Sequence, residues 1–410
     1  MFQPLLDAFI ESASIKKKLP LISPPPLKIA VANWFNGPKE FKANILYFIL
    51  SQRYTITLHR NPDKPADIVF GNPLGAARKI LSYQNTKRVF YTGENEVPNF
   101  NLFDYAIGFD ELDFNDRYLR MPLYYAHLHY KAEIVNDTTS PYKLKPNSLY
   151  TLKPSHHFKE KHPHLCAVVN NESDPLKRGF ASFVASNPNA PKRNAFYDAL
   201  NSIEPVTGGG SVRNTLGYNV KNKSEFLSQY KFNLCFENSQ GYGYVTEKII
   251  DAYFSHTIPI YWGSPSVAKD FNPKSFVNVH DFKDFDEAID YVRYLHTHPN
   301  AYLDMLYENP LNTIDGKAYF YQNLSFKKIL DFFKTILEND TIYHDNPFIF
   351  YRDLNEPLVS IDGLRVNYEC LLQNASPLLE LSQNTTFKIY RKIYQKSLPL
   401  LHAIRRWVKK

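Results

Sequence analysis

A dense group of polar and charged residues that could do chemistry lies between positions 237 and 248 of this 410-residue chain. The segment holds two acids, a lysine, an asparagine and two tyrosines, and its polar candidates are Glu237, Asn238, Tyr244, Glu247 and Lys248. A lysine supplies a mobile positive charge that suits a phosphate oxygen. The segment matches neither GxGxxG nor GxxxxGK[ST], so neither common nucleotide motif explains it. The density of polar residues therefore predicts a ligand-binding loop of another kind.

The flanking sequence predicts the elements that position this loop. Residues 232–236 and 258–262 are apolar runs rich in β-forming residues, which is typical of buried strands. Between them, Gly241 and Gly243 let the backbone approach a ligand closely, and Thr246 is a favourable N-cap for a helix that runs to about residue 255. A loop that leads into a helix N-terminus suits an anion. The alternative is an ordinary strand–helix–strand unit whose glycines only make turns.

A second polar loop, residues 92–96, contains two carboxylates, Glu94 and Glu96. It follows a predicted strand at residues 88–92, and ligands in parallel α/β sheets bind beyond the carboxyl ends of the strands. A carboxylate at such a position can act as a general base. Most loop acids are simply solvated, so the spacing alone leaves both interpretations open.

The sequence resembles a known enzyme family at three ordered motifs. Residues 236–239 read FENS, residues 244–249 read YVTEKI, and residues 259–263 read PIYWG. Together they resemble the donor-binding signature of the α1,3/4-fucosyltransferases. The resemblance covers about residues 27 to 340 and is strongest to bacterial members that make Lewis-type fucosylated glycans.

This resemblance implies roles for individual residues. The loop with the sequence GENE resembles the acceptor-domain loop whose first acid is the proposed general base, which assigns that role to Glu94 and leaves Glu96 as the second choice. An arginine that contacts the donor phosphates corresponds to Arg193. The remaining donor contacts correspond to Asn238, Tyr244, Glu247, which would bind the ribose, and Lys248. Glu237 could stabilise positive charge in an oxocarbenium-like transition state, or it could be structural.

The implied reaction is inverting transfer of fucose from GDP-fucose to the GlcNAc hydroxyl of N-acetyllactosamine-type glycans. The linkage would be α1,3, with α1,4 as an alternative, and the acceptor would be lipopolysaccharide O-antigen. We expect no required cofactor, and a divalent metal that is at most stimulatory, because basic side chains would hold the diphosphate. The chain shows no Asp-x-Asp in a loop context. Two alternatives remain: a related enzyme with another sugar nucleotide, and a non-catalytic glycan-binding protein.

Alternating strand and helix patterns predict an α/β fold with two Rossmann-type doubly wound domains that face a cleft, a layout called GT-B. We expect a lead at residues 1–26, an acceptor domain at 27–160, a donor domain at 161–340, a linker at 341–386 and a tail at 387–410. The donor domain would open with a strand at residues 165–169 and a helix at residues 176–185. Six histidines between residues 127 and 164 lack zinc-ligand spacing, so we interpret them as surface or packing residues.

The net charge of +7 is concentrated in the tail. Residues 387–410 carry eight of the 48 basic residues and no acid, which leaves 40 basic against 41 acidic residues elsewhere. The near-neutral body argues against a nucleic-acid-binding protein. The tail combines these cations with apolar residues, a pattern that favours a basic amphipathic helix on an anionic membrane surface over a helix packed on the body.

Further expectations concern location and assembly. The three cysteines suggest a reducing compartment, and no stretch resembles a secretory signal or a membrane span. We therefore expect a cytoplasmic protein that is peripherally associated with the inner face of the cytoplasmic membrane. Residues 362–368 resemble one imperfect heptad unit of the bacterial family members. One unit cannot build a coiled coil, so a weak homodimer is the most that it supports.

Overall fold

The computed structural model describes residues 2–13, 24–34, 37–75, 77–135 and 174–344. The first domain contains a six-stranded sheet, and its strands β1 to β6 span Pro26–Ala32, Thr55–His59, Ile68–Gly71, Lys87–Phe90, Tyr105–Gly108 and Tyr118–Arg120. Helices α1 to α5 span Gln3–Ser12, Pro38–Phe41, Ile45–Ser51, Ala77–Leu81 and Leu123–Val135.

Every neighbouring pair in the first sheet is parallel, in the order β2-β1-β3-β4-β5-β6. Strands β3 and β5 are buried at every residue because helices cover both faces of the sheet. The strand order reverses between β1 and β3, so the loops that follow these strands diverge and leave a crevice at their carboxyl ends.

The second domain contains a five-stranded sheet of strands β7 to β11, which span Gly179–Phe183, Val206–Gly208, Tyr230–Phe236, Ile258–Trp262 and Val277–Asn278. Helices α6 to α11 span Pro191–Asn201, Lys223–Leu227, Glu247–Phe254, Val267–Asp270, Phe285–Thr297 and Pro299–Tyr307. The order is β11-β10-β9-β7-β8 with parallel pairs, so this sheet reverses between β7 and β9. The predicted α/β fold with two doubly wound domains is confirmed.

The start of the second domain differs from the sequence prediction. The expected helix at residues 176–185 is wrong: Pro175–Lys177 forms one turn of 3₁₀ helix, and Gly179–Phe183 forms β7. This strand lies between β9 and β8, and four of its five residues are buried. Pairing on both sides outweighs the helical propensity of this short stretch. The strand expected at residues 165–169 lies outside the described residues.

Two segments outside the two sheets, α1 and residues 313–338, pack against the domains. Phe2, the N-cap residue of α1, stacks on Phe254 of the second domain with ring centres 4.8 Å apart, and Phe9 within α1 packs edge-on against Tyr125 of the first domain at 5.0 Å. After the second domain, a short hairpin of β12 and β13, at Thr313–Ile314 and Lys317–Ala318, precedes helix α12 at Phe326–Glu338. Helix α12 packs on the first domain, where Phe333 lies 5.6 Å from Phe70. No helix in the described part of the chain is long and apolar enough to cross a membrane.

Buried ion pairs fix the contact between the domains. Arg120 of β6 donates two hydrogen bonds to Asp270 of α9, at 2.9 and 2.7 Å, and the Tyr124 hydroxyl donates a third at 2.9 Å. Lys131 of α5 lies 3.0 Å from the buried Asp251 of α8. A buried charge needs its partner in one geometry, so these pairs favour one arrangement of the domains.

We expect Asp270→Asn to lower the free energy of unfolding by about 3–5 kcal/mol, because the buried Arg120 charge would lose its partner. Urea unfolding followed by fluorescence measures the change. The matched control is Glu338→Gln, which breaks an exposed Lys334–Glu338 pair at 3.7 Å and should cost about 0–1 kcal/mol. Equal stability of the two variants would contradict a fixing role for Arg120–Asp270.

Candidate active site

Two cavities meet at the N-terminus of helix α8. The first, about 490 Å³, is bounded by the loops that follow β7 and β9 in the second domain. The second, about 570 Å³, lies between the domains and reaches the loops that follow β1, β3 and β4. Asn238, Glu247 and Lys248 line both cavities. In α/β sheets, ligands bind where the strand order reverses. The cavities at the two reversals therefore share one group of lining residues.

A buried carboxylate organises this meeting point. Glu237 is fully buried at the end of β9 and accepts hydrogen bonds from the Thr246 backbone N–H at 2.8 Å and from the Thr246 hydroxyl at 2.9 and 2.8 Å. The Lys248 ammonium donates to Glu237 Oε2 at 2.7 Å. Thr246 thus occupies the predicted N-cap position, but its hydroxyl bonds Glu237 and makes no cap bond to its own helix. The carboxylate ties the loop to the first turn of α8.

The charges of Lys248 and Glu247 are stabilised by their neighbours. Burial works to lower the pKa of Lys248, but Glu237 and Glu247 outweigh it and raise that pKa above its ordinary value. Burial works to raise the pKa of Glu247, whereas Lys248 at 3.5 Å and His127 at 4.0 Å lower it overall. Both side chains therefore stay ionised at neutral pH, and Lys248 offers an ammonium to the cavities from a fixed position.

Arg193 supplies a second cation to the first cavity. It lies in the first turn of α6, lines this cavity and is only 2% exposed. One guanidinium nitrogen donates to Asn238 Oδ1 at 2.7 Å, and the other donates to the Asn187 carbonyl. Its Nε is buried without a hydrogen-bond partner among the described residues. This orphaned donor fits an oxyanion ligand, since guanidinium groups match phosphate geometry.

Lys223 is a third cation in the first cavity, and no sequence motif pointed to it. Its Nζ lies 2.9 Å from Asp251, which also binds Lys131. Burial works to lower the pKa of Lys223, but Asp251 and Glu247 raise it overall. Lysine is common on short helices, so only the packing of α7 beside α8 distinguishes this residue. Arg193, Lys223 and Lys248 outnumber Glu247 in the lining, so the cavity is cationic and suits a diphosphate.

The second cavity contains the predicted base. Glu94 lines it, four residues beyond the end of β4, and its backbone N–H donates to the Thr92 hydroxyl at 3.1 Å. Tyr244 lines the same cavity; burial raises its pKa, and the nearby charges of Glu237 and Glu94 add to that rise. The structure thus brings Glu94 to the side of the cleft opposite Lys248.

Two of the proposed site residues lie outside both cavities. Glu96 is half-buried behind Glu94, and its backbone N–H donates to the Glu94 carbonyl at 2.7 Å. Glu237 lies beneath the loop, with both carboxylate oxygens in the hydrogen bonds described above. Transition-state support by either acid stays a prediction.

Aromatic and imidazole side chains form the first-domain wall of the second cavity. Trp34 stacks on Tyr91 with ring centres 5.8 Å apart and planes 7° apart. His127 and Tyr130 of α5 also line this wall, so His127 is a cavity residue as well as a packing one. In the described part of the chain, no three His, Cys, Asp or Glu side chains group as a metal site would need. The histidines of the predicted cluster from 156 onward lie outside that part.

Two facing α/β domains with a cationic cavity and an opposed carboxylate fit a glycosyltransferase of the two-domain type. Residues 31–127 match the family model described as the α-(1,3)-fucosyltransferase FucT N-terminal domain, and residues 175–308 match the glycosyltransferase family 10 (fucosyltransferase) C-terminal model. The chain is 75% identical to the α-(1,3)-fucosyltransferase FucT of Helicobacter pylori, and the alignment covers 100% of this chain and 99% of that protein. The chain therefore belongs to the α-(1,3)-fucosyltransferase family, and the predicted enzyme class is confirmed.

Two solved structures and a mammalian relative that the chain resembles are also fucosyltransferases. A crystal structure of an α1,3-fucosyltransferase with GDP-fucose superposes with a TM-score of 0.76 at 84% identity, over 84% of this chain and 100% of that one. A further α1,3-fucosyltransferase crystal structure gives 0.78 at 87% identity, over 85% and 99% of the two chains. The 4-galactosyl-N-acetylglucosaminide 3-α-L-fucosyltransferase 9 of Mus musculus is 32% identical over 133 residues, which are 32% of this chain and 36% of that protein.

We expect Lys248→Met to weaken GDP binding about 10- to 100-fold, because a charge-assisted hydrogen bond to phosphate contributes about 1.5–3 kcal/mol. Isothermal titration calorimetry with GDP measures the loss. The single variant also strands the Glu237 charge, so the double variant Glu237→Gln/Lys248→Met separates binding from folding.

The matched control is Lys192→Met, because Lys192 is exposed, lies next to Arg193 in the chain and lines neither cavity. Its GDP affinity should equal that of the wild type. If the folded double variant bound GDP with wild-type affinity, Lys248 would not be a phosphate ligand.

Proposed function

We propose that this enzyme transfers fucose from GDP-fucose to the GlcNAc hydroxyl of N-acetyllactosamine-type glycans, with inversion at the fucose C1. One observation carries the proposal: a cationic cavity and a carboxylate-bearing cavity meet at Glu247 and Lys248. Two relatives support it, one crystallised with GDP-fucose and one named for a 4-galactosyl-N-acetylglucosaminide acceptor.

We assign the donor to the first cavity. The diphosphate would bind Lys248, the unpaired Nε of Arg193 and the N-terminus of α8, where the helix dipole is positive. Asn238 would orient Arg193 through its 2.7 Å hydrogen bond, and the ionised Glu247 would accept hydrogen bonds from the ribose. The side chains hold the departing diphosphate, so a divalent metal is not required on this proposal.

We assign the acceptor to the second cavity. A sugar ring would lie against the aromatic wall of Trp34 and Tyr91, because the apolar faces of sugars pack on aromatic rings. The Trp34 indole N–H is buried without a hydrogen-bond partner among the described residues, so it could donate to a sugar oxygen. These contacts would present the GlcNAc hydroxyl to both Glu94 and the fucose C1.

The step would be one displacement. The acceptor oxygen forms a bond to C1 while the bond between C1 and the phosphate oxygen breaks, and its electron pair leaves with GDP. The hydroxyl proton passes to the Glu94 carboxylate. Lys248 and Arg193 stabilise the negative charge that develops on the leaving diphosphate. One displacement on the face opposite the leaving group converts a β-linked fucose into an α-linked product.

Incubation of the purified enzyme with GDP-fucose and N-acetyllactosamine, followed by mass and linkage analysis, tests the proposal. We expect an α1,3-linked fucose on GlcNAc, and the same enzyme should act on Lewis-type precursors of lipopolysaccharide O-antigen. A panel of other sugar nucleotides should give no product. Product formed from another sugar nucleotide and not from GDP-fucose would show that GDP-fucose is not the donor.

We expect Glu94→Gln to lower kcat for transfer by about 10²–10⁴-fold, since the amide cannot accept the hydroxyl proton. GDP affinity should be unchanged because Glu94 does not line the first cavity. Coupled release of GDP measures the rate. Glu96→Gln is the control two residues away, and loss of activity there with an active Glu94→Gln would move the base to Glu96.

We further propose that the C-terminal tail, residues 387–410, holds the enzyme on the inner face of the cytoplasmic membrane. The proposal rests on the sequence, since the tail lies outside the described residues: eight cations and no acid accompany its apolar residues, whereas the rest of the chain is near neutral. A weak homodimer is the most that we propose for assembly.

Removal of residues 387–410 should release the enzyme from anionic phospholipid vesicles and leave kcat unchanged. Cosedimentation with vesicles compares the two proteins, and zwitterionic vesicles are the control to which neither should bind, because each basic residue near an anionic surface contributes about 1 kcal/mol. Retention of the shortened protein on anionic vesicles would place the membrane contact elsewhere.

A further inference from the structure

Asn95, between the two acids of the first-domain loop, reaches across the cleft to the donor-binding loop. Its side-chain amide donates to the Ser239 hydroxyl at 2.8 Å and to the Gln240 carbonyl at 3.1 Å. Ser239 directly follows Asn238, which lines both cavities. The loop that carries the proposed base is therefore bonded to the loop that forms the proposed donor site.

The packing around Asn95 leaves it little freedom. A Cβ added to Gly241 would lie 2.4 Å from Asn95 Oδ1, so the amide fits against the bare backbone of this glycine. Gly243, with a φ of +77°, packs just as closely on the Phe109 carbonyl of the first domain, where an added Cβ would lie 2.0 Å away. The donor-binding loop is thus wedged against the first domain on both sides of Tyr242.

Local hydrogen bonds hold the backbone of Glu94 within the same turn as Asn95. Its N–H is held by the Thr92 hydroxyl at 3.1 Å, and its carbonyl accepts the Glu96 N–H at 2.7 Å. These local bonds close the loop on its own side of the cleft. The amide of Asn95 joins this turn to the opposite domain, and Glu94, the preceding residue, lines the same cavity as Asn238 and Tyr244.

We propose that Asn95 is a positioning residue that fixes the Glu94 carboxylate relative to the bound donor. This inference rests on the proposed function, in which Glu94 is the base. Asn95 would touch neither substrate and would act only through the placement of its neighbour. A shift of about 1 Å in a reacting group can cost about 100-fold in rate, so two hydrogen bonds across the cleft are enough to matter.

Two substitutions at Asn95 test the inference. Asn95→Asp keeps the volume but removes both N–H donors, and Asn95→Ala removes the side chain. We expect each to lower kcat about 10- to 100-fold with the donor KM and the GDP affinity unchanged. Asn61→Ala is the matched control, because the Asn61 oxygen only closes a local turn with the Asp63 N–H at 3.0 Å, and it should leave kcat unchanged.

Gly241→Ala tests the same contact from the other domain. Its methyl group would displace the Asn95 amide and lower kcat, but in an Asn95→Ala background the space is empty and the same substitution should have no further effect. This non-additivity separates a specific contact from general damage to the loop. Equal losses from Gly241→Ala in both backgrounds would overturn the proposed contact.

The variant Glu94→Gln/Asn95→Ala shows whether Asn95 acts through Glu94. If it does, the double variant transfers no more slowly than Glu94→Gln alone, because a residue that positions the base has no effect once the base is gone. Wild-type kcat in both Asn95→Asp and Asn95→Ala would overturn the inference. So would an Asn95→Ala substitution that lowers kcat as much in the Glu94→Gln background as in the wild type. A fully active Glu94→Gln would instead overturn the base assignment, and the two failures are therefore distinct.

Discussion

A buried carboxylate under a positively charged helix terminus is the interaction on which the site depends. Glu237 has no exposed surface, and such a charge is tolerated only when its hydrogen bonds are satisfied. Thr246 and Lys248 satisfy it with bonds of 2.7 to 2.9 Å. The same bonds fix the start of α8 and hold the Lys248 ammonium at the junction of the two cavities. One structural requirement therefore orders the residues that would bind a phosphate.

The relation between the two domains is the next constraint. The proposed donor cavity belongs to the second domain, whereas Glu94, Trp34 and His127 come from the first. Chemistry between them requires a defined distance across the cleft. The buried Arg120–Asp270 and Lys131–Asp251 pairs hold the domains at that distance, and the packing of Phe2 and α1 on both domains adds to this. We infer that the cleft is largely preformed, which lowers the entropy cost of bringing the reacting groups together.

Local sequence patterns predicted the central unit because its elements follow from short-range rules. The strands β9 and β10, the loop between them and helix α8 lie where the apolar runs, glycines and Thr246 place them. The same rules failed at residues 176–185, where a buried strand replaces the expected helix, because pairing with β9 and β8 is a long-range effect. They also missed β6, whose three residues are too few to give a periodic pattern.

The sequence by itself determined the fold class, the donor-binding motif, the family and the candidate roles of Glu94, Arg193 and Lys248. The fold class follows from the alternation of strand and helix patterns, whereas the family and the residue roles follow from the resemblance of short ordered motifs to a known family. Tertiary structure decided which distant residues share the cleft: Lys223 beside Lys248, His127 beside Glu247, and Asn95 against Gly241. Single lysines, histidines and asparagines carry no local signal. Their meaning depends on which strands and helices become neighbours, and that is set by the packing of the whole chain.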